Sequence, residues 1–290
     1  ADKGGVGAAR KIGCDSLLEA WWKRHQVNGF PASAQNGERI LFQLDADTTV
    51  EPSYLTAADA LRSNEEPAGV VPLRHQPATS PGDQHAIRQY ELYMRYYVDG
   101  LTWSGSPYAY HSVGSTIVCT ATGYLMAGGF SAKRTAGEDF YFLQNMAKLG
   151  GVCELRNTCV HPAARISERV PFGTGRRLGS ARQTKGTDHF KAPDPRCFHE
   201  LKQLLHFVDK EPGTAPQHIL EKLSHPETVR FLQNKGFVNQ VARFQNQFRD
   251  DAQLKKAFHD WFDGLATYRL INHLSQNAWP LQPLAEAYTA

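Results

Sequence analysis

Asp45 and Asp47 stand two residues apart at the end of the apolar run Ile40-Leu41-Phe42-Gln43-Leu44. Alternate side chains of an extended chain share a face, so both carboxylates can turn toward one divalent cation while Leu41 and Val50 stay in apolar surroundings. Hard oxygen ligands suit Mg or Mn. A second acidic pair, Glu138-Asp139, opens a stretch of helical pattern that runs to Leu149 and stops at Gly150-Gly151. Each pair alone has a plainer explanation. Two acids also cap a strand-to-helix turn, and an acidic first turn is what a helix dipole favours.

The elements that must position these residues alternate. Lys11 to Trp22 has helical spacing, with Ile12, Leu17, Leu18 and Trp21 expected on one buried face. The strand ending at Asp45 follows a polar stretch containing Pro31, Asn36 and Gly37. Pro52 begins a helix expected to reach about Arg62. Ala68 to Leu73 reads as a buried strand, Gln84 to Leu101 as a long helix and Ser115 to Cys119 as a short strand. Val152 to Val160 reads as the strand that returns after the Glu138 helix. This alternation predicts an α/β fold with a mainly parallel sheet and flanking helices.

From Ala163 to Pro195 a loop dense in Arg, Gly, Thr and Ser has the length of a lid. Beyond it the texture becomes helical, over Phe198 to Phe207, Ala215 to Leu223, Glu227 to Phe237 and Ala252 to Leu270. Two domains are expected, residues 1–195 and a small helical region, 196–290.

Composition narrows the partners. The net charge is +3, from 32 basic and 29 acidic residues, which gives little reason to expect nucleic acid or an anionic membrane. Five cysteines without a Cys-x-x-Cys pair argue against a zinc site and a disulfide framework. No stretch has the length and apolarity of a membrane span, and the opening residues lack the pattern of a signal peptide. A cytoplasmic protein is expected. The chain opens at Ala1 on a Gly-rich charged turn, as a fragment would whose preceding strand is missing.

Lys3-Gly4-Gly5-Val6-Gly7-Ala8-Ala9-Arg10-Lys11-Ile12-Gly13, followed by Ile-Leu-Phe-Gln-Leu-Asp-Ala-Asp, resembles the segment of family-2 glycosyltransferases of the GT-A fold between their Ala-Arg-Asn-x-Gly helix and their Asp-x-Asp motif. Lys11 replaces the usual Asn. Gly128-Gly129-Phe130 and Gly137-Glu138-Asp139 resemble the family's Gly-Gly-Phe and Glu-Asp landmarks, in order and at their spacing. The likeness covers roughly Asp2 to Gly175 and implies a GT-A-like domain lacking the first strands, which hold the nucleoside in that family.

The resemblance implies a nucleotide-sugar donor, a carbohydrate, lipid or small-molecule acceptor, and Mn or Mg. Asp47 would bind the metal, and Asp45 the metal, ribose or donor sugar. His161 would stand where some relatives place a third ligand. Arg10, Arg165 and Arg169 would contact the diphosphate, for which the planar guanidinium is suited. Gly128 and Gly129 would lie on the acceptor side. Asp139 would be the base of an inverting transfer, with Glu138 positioning the acceptor or the base. The Gln-x-x-Arg-Trp motif of processive synthases is missing, so a single addition is expected.

Two other readings use the same residues. Asp-x-Asp-x-Thr after an apolar strand also resembles the opening motif of haloacid-dehalogenase phosphatases, with Asp45 as nucleophile and Lys148 as a later partner. A catalytically inert binding or scaffold fragment is the non-enzymatic alternative.

Overall fold

The computed structural model describes residues 5–28, 39–63, 65–131, 137–164 and 190–289. They divide into two compact units, one drawn from residues 1–91 and 110–183, the other from 92–109 and 184–290. In the first unit α1 (Val6–Asn28) precedes β1 (Ile40–Phe42), and β2 (Thr49–Val50) leads to α2 (Tyr54–Ala57), α3 (Ala60–Ser63) and β3 (Ala68–Val70). α4 (Pro81–Trp103) is shared between the units. Then come β4 (Ile117–Thr120), α5 (Ala121–Met126), α6 (Glu138–Leu149), β5 (Val152–Glu154) and β6 (Val160–His161).

Four strands form a sheet in the order β1-β4-β3-β5. β4 is antiparallel to both its neighbours, whereas β3 and β5 are parallel. The sheet is therefore mixed, not mainly parallel in its pairing as the sequence predicts. β1, β3 and β5 share one direction, and β4 lies reversed between β1 and β3. Ile117-Val118-Cys119-Thr120 is buried throughout, and a short run buried on both faces carries no signal of its direction. One consequence matters for the site. The ends of β1, β3 and β5 and the start of β4 gather at a single sheet edge.

The period of two along each strand builds two apolar layers. Leu41, Ala68, Val70, Ile117 and Cys119 pack with Cys14, Tyr124, Phe130, Phe142 and Met146 on one face, beneath α1, α5 and α6. Val71, Val118, Leu155 and Val160 pack with Tyr54 and Leu61 on the other, where Ile40 and Phe42 join them. Phe130 stacks on Phe142 with ring centroids 4.0 Å apart.

α1 corrects one expectation. Ile12 and Leu17 are 67% and 64% exposed, while Cys14 is 4% exposed and Leu18 packs on the core. The buried face runs through Gly7, Cys14 and Leu18 because α1 needs a small residue where it meets α6. A Cβ at Gly7 would lie 2.9 Å from Glu138 Cβ and 2.5 Å from the Ser131 carbonyl oxygen.

Several boundaries also differ. The stretch after Pro52 forms two short helices, and Val152 to Val160 splits into β5 and β6. β6 pairs antiparallel with β2, placing His161 opposite Thr49.

The second unit pairs β7 (Lys191–Ala192) with β8 (Gln282–Pro283). Its helices are α7 (Pro195–Lys210), α8 (Pro216–Lys222), α9 (Pro226–Asn234), α10 (Phe237–Gln247), α11 (Asp251–Trp261), α12 (Gly264–Asn277) and α13 (Leu284–Thr289), joined by the end of α4. The helix expected over Ala252 to Leu270 is two, because Asp263 caps a new start by accepting from the Ala266 amide at 3.1 Å. α12 packs on α7 and α9. No described helix is long and apolar enough to cross a membrane.

Candidate functional site

Beyond β1 the Gln43 amide still pairs with the Ile117 carbonyl, at 2.9 Å. The chain then closes a turn, the Thr48 amide donating to the Asp45 carbonyl at 3.0 Å. Asp45 and Asp47 are thus the first and third residues of a four-residue turn at the sheet edge. Gln76 Nε2 braces it from the chain that follows β3, donating to the carbonyls of Asp47 at 3.0 Å and His161 at 2.7 Å. The Asp45 side chain is 47% exposed. Asp47 is half-buried.

α1 brings Arg10 to the same edge. Its Nη2 donates to Asp45 Oδ1 at 2.7 Å and its Nη1 to the Gly114 carbonyl at 2.9 Å. The Arg10 side chain is 10% exposed. Its buried Nε has no hydrogen-bond partner among the described residues. Gly114 admits the guanidinium, since an added Cβ would lie 2.2 Å from Nη2 and 2.6 Å from Cζ.

α6 starts at Glu138 after Gly137, whose φ of 101° is left-handed. Asp139 Oδ1 accepts from the Phe140 amide at 2.8 Å. Burial pushes the Asp139 carboxyl up to about 6; the Phe140 amide works against that, Glu138 adds to it and the Arg10 charge works against it. Arg10 thus pairs with Asp45 and acts electrostatically on Asp139. The first unit brings Arg10, the Asp-x-Asp turn and the Glu138-Asp139 pair into one neighbourhood.

His161 belongs to this edge through the pairing of β2 with β6. Its Nδ1 meets the Arg74 carbonyl at 2.9 Å and its Nε2 meets Glu51 Oε1 at 2.8 Å, so binding a metal would require exchange of one of these partners. Gly128 and Gly129 form the left-handed turn after α5, with φ values of 78° and 72°. Gly129 abuts α1: a Cβ there would lie 2.8 Å from the Tyr124 hydroxyl and 3.1 Å from Lys11 Nζ. Arg165 and Arg169 lie outside the described residues. Lys148 sits in the last turn of α6, at the opposite end of that helix from Asp139. Tyr108 belongs to the second unit, where its hydroxyl donates to the His259 carbonyl at 2.7 Å.

Mg usually keeps several waters and is held through one or two carboxylates together with substrate phosphates. Asp45 and Asp47, on one turn at a solvent-facing edge, fit that donor set. Among the described residues the buried Thr48 Oγ1 and Arg10 Nε have no hydrogen-bond partner. Among the described residues no three His, Cys, Asp or Glu side chains converge as a ready-made metal cage.

Sequence reasoning overlooked Gly7, Gly114, Glu51 and Gln76. The small residues of Val6-Gly7-Ala8-Ala9 hint at a close helix approach. Gly114, Glu51 and Gln76 carry no local signal, because their partners are 104, 110 and 29 or 85 positions away. Comparison with protein-family models, curated proteins and solved structures gave no match.

Proposed function

We propose that the first unit is a GT-A-like sugar-transfer domain that moves one sugar from a nucleotide-sugar donor to a carbohydrate, lipid or small-molecule hydroxyl, using Mg or Mn and inverting the anomeric centre. The observation that carries this reading is Arg10, which links Asp45 at 2.7 Å to the surroundings of Asp139. The shared direction of β1, β3 and β5 supports the fold assignment.

Asp47 and Asp45 would hold the cation, which would supply positive charge to the departing diphosphate. Arg10 would contact the same diphosphate, its Nε giving a further donor to an oxygen. Asp139 would take the proton of the acceptor hydroxyl. The hydroxyl oxygen then bonds to the anomeric carbon as the bond from that carbon to the diphosphate oxygen breaks, and the electron pair leaves with the diphosphate. A carboxyl lifted to about 6 is still largely ionised at neutral pH yet more basic than an ordinary carboxylate, which suits a general base. Glu138 would position the acceptor, Gly128 and Gly129 would offer their turn to it, and Arg165 and Arg169 would contact the donor's diphosphate.

A panel of nucleotide sugars with Mn or Mg and mixed acceptors tests the reading through release of nucleoside diphosphate. Metal-dependent release that Asp47→Ala and Asp139→Asn both remove is expected. Hydrolysis of a generic phosphate ester through a phosphoryl-Asp45 intermediate, with no activity on any nucleotide sugar, would instead establish the phosphatase.

A further inference from the structure

We propose that Arg10 is an internal stand-in for the divalent cation: its guanidinium neutralises Asp45 until a cation binds, then turns to the donor's diphosphate. This rests on the sugar-transfer reading above.

The geometry has three parts. Arg10 Nη2, 2.7 Å from Asp45 Oδ1, takes the place beside that oxygen that a cation needs. Burial is unequal, since the Arg10 side chain is 10% exposed and the Asp45 side chain 47%. A buried guanidinium deprived of its counter-charge is costly, so an anion must join Arg10 when Asp45 turns to a cation. Finally, Nε is buried and has no hydrogen-bond partner among the described residues. The planar fork therefore keeps Nε among its spare donors, which a diphosphate bearing several oxygens can meet while it replaces the Asp45 contact.

The surroundings confine the exchange to the side chain. α1 cannot slide to carry Arg10 away, because Gly7 already lies against the Ser131 carbonyl and Glu138. The guanidinium lies against Gly114, at a distance that leaves no room for a methyl group. Gly114 is accordingly a positioning residue for Arg10.

Competition for Asp45 predicts effects of opposite sign on two ligands. Without its rival, Asp45 takes Mn more readily, so Arg10→Gln is expected to bind Mn alone about two- to fivefold more tightly than wild type, the scale set by breaking a part-exposed ion pair. The same variant is expected to bind Mn with a nucleoside diphosphate at least about tenfold more weakly, through loss of a charged contact. Arg10→Lys keeps the charge and should remain near wild type for Mn alone. Gly114→Ala, which evicts the guanidinium, should follow Arg10→Gln.

Isothermal calorimetry of the full chain with MnCl2, alone and with uridine or guanosine diphosphate, measures both effects. A general loss of structure would weaken both ligands, so tighter Mn binding in Arg10→Gln supports the exchange. Equal or weaker Mn affinity in Arg10→Gln, with Asp47→Ala abolishing Mn binding, overturns the stand-in and leaves the metal reading intact. Absence of Mn binding in wild type and variants overturns both.

Discussion

Gly7 on α1 and Glu138 on α6 meet so closely that a Cβ on the glycine would lie 2.9 Å from Glu138 Cβ. This contact brings the helix bearing Arg10 against the helix bearing Asp139, although the residues are more than a hundred positions apart. The candidate site depends on it.

Gly7→Ala is therefore expected to destabilise the first unit by about 1–3 kcal/mol, the range for overpacking, and to disturb Asp139 with it. Urea unfolding should show the loss. A neutral effect in urea would mean that α1 does not approach α6 as described.

Phe142 tests the layer beneath. It is 2% exposed and stacks on Phe130. Phe142→Ala should cost about 3–5 kcal/mol through lost transfer free energy and the cavity left behind. A loss below about 1 kcal/mol in chemical denaturation would contradict this core.

Asp139 gives a prediction in pH. Its carboxyl is lifted from 3.8 to about 6 by burial, so the folded chain keeps this proton where the unfolded chain has released it. The associated stability is complete below about 4 and disappears as pH rises through about 6. Asp139→Asn should consequently be more stable than wild type at pH 7.5, by on the order of 3 kcal/mol, and close to it at pH 4. Urea midpoints at the two pH values decide the matter. Equal midpoints at pH 7.5 would remove the case for a lifted carboxyl.

What the sequence revealed follows from which forces are local. α6 begins at Glu138 and ends at Leu149 as read, because Gly137 and Gly150-Gly151 punctuate it. The Asp-x-Asp turn was legible because a short apolar strand must end somewhere polar. The direction of β4 was not, since a four-residue strand buried on both faces looks alike in either sense. α1 misled because Ile12 and Leu17 are its greasier residues, whereas docking against α6 selects a small one, Gly7. The break before α12 is signalled by Asp263-Gly264, a capping residue followed by glycine. The contact of Arg10 with Gly114 arises from tertiary packing alone, so the linkage of Asp45 to Asp139 emerges only in three dimensions.

Whether Asp47 and its neighbours hold a cation for a nucleotide donor is decided most directly by calorimetric titration with a set of nucleoside diphosphates, with and without Mn. Wild type is expected to bind at least one of them in a Mn-dependent manner, and Asp47→Ala to lose that dependence. Identical affinities in the two proteins would rule out a cation held by Asp47.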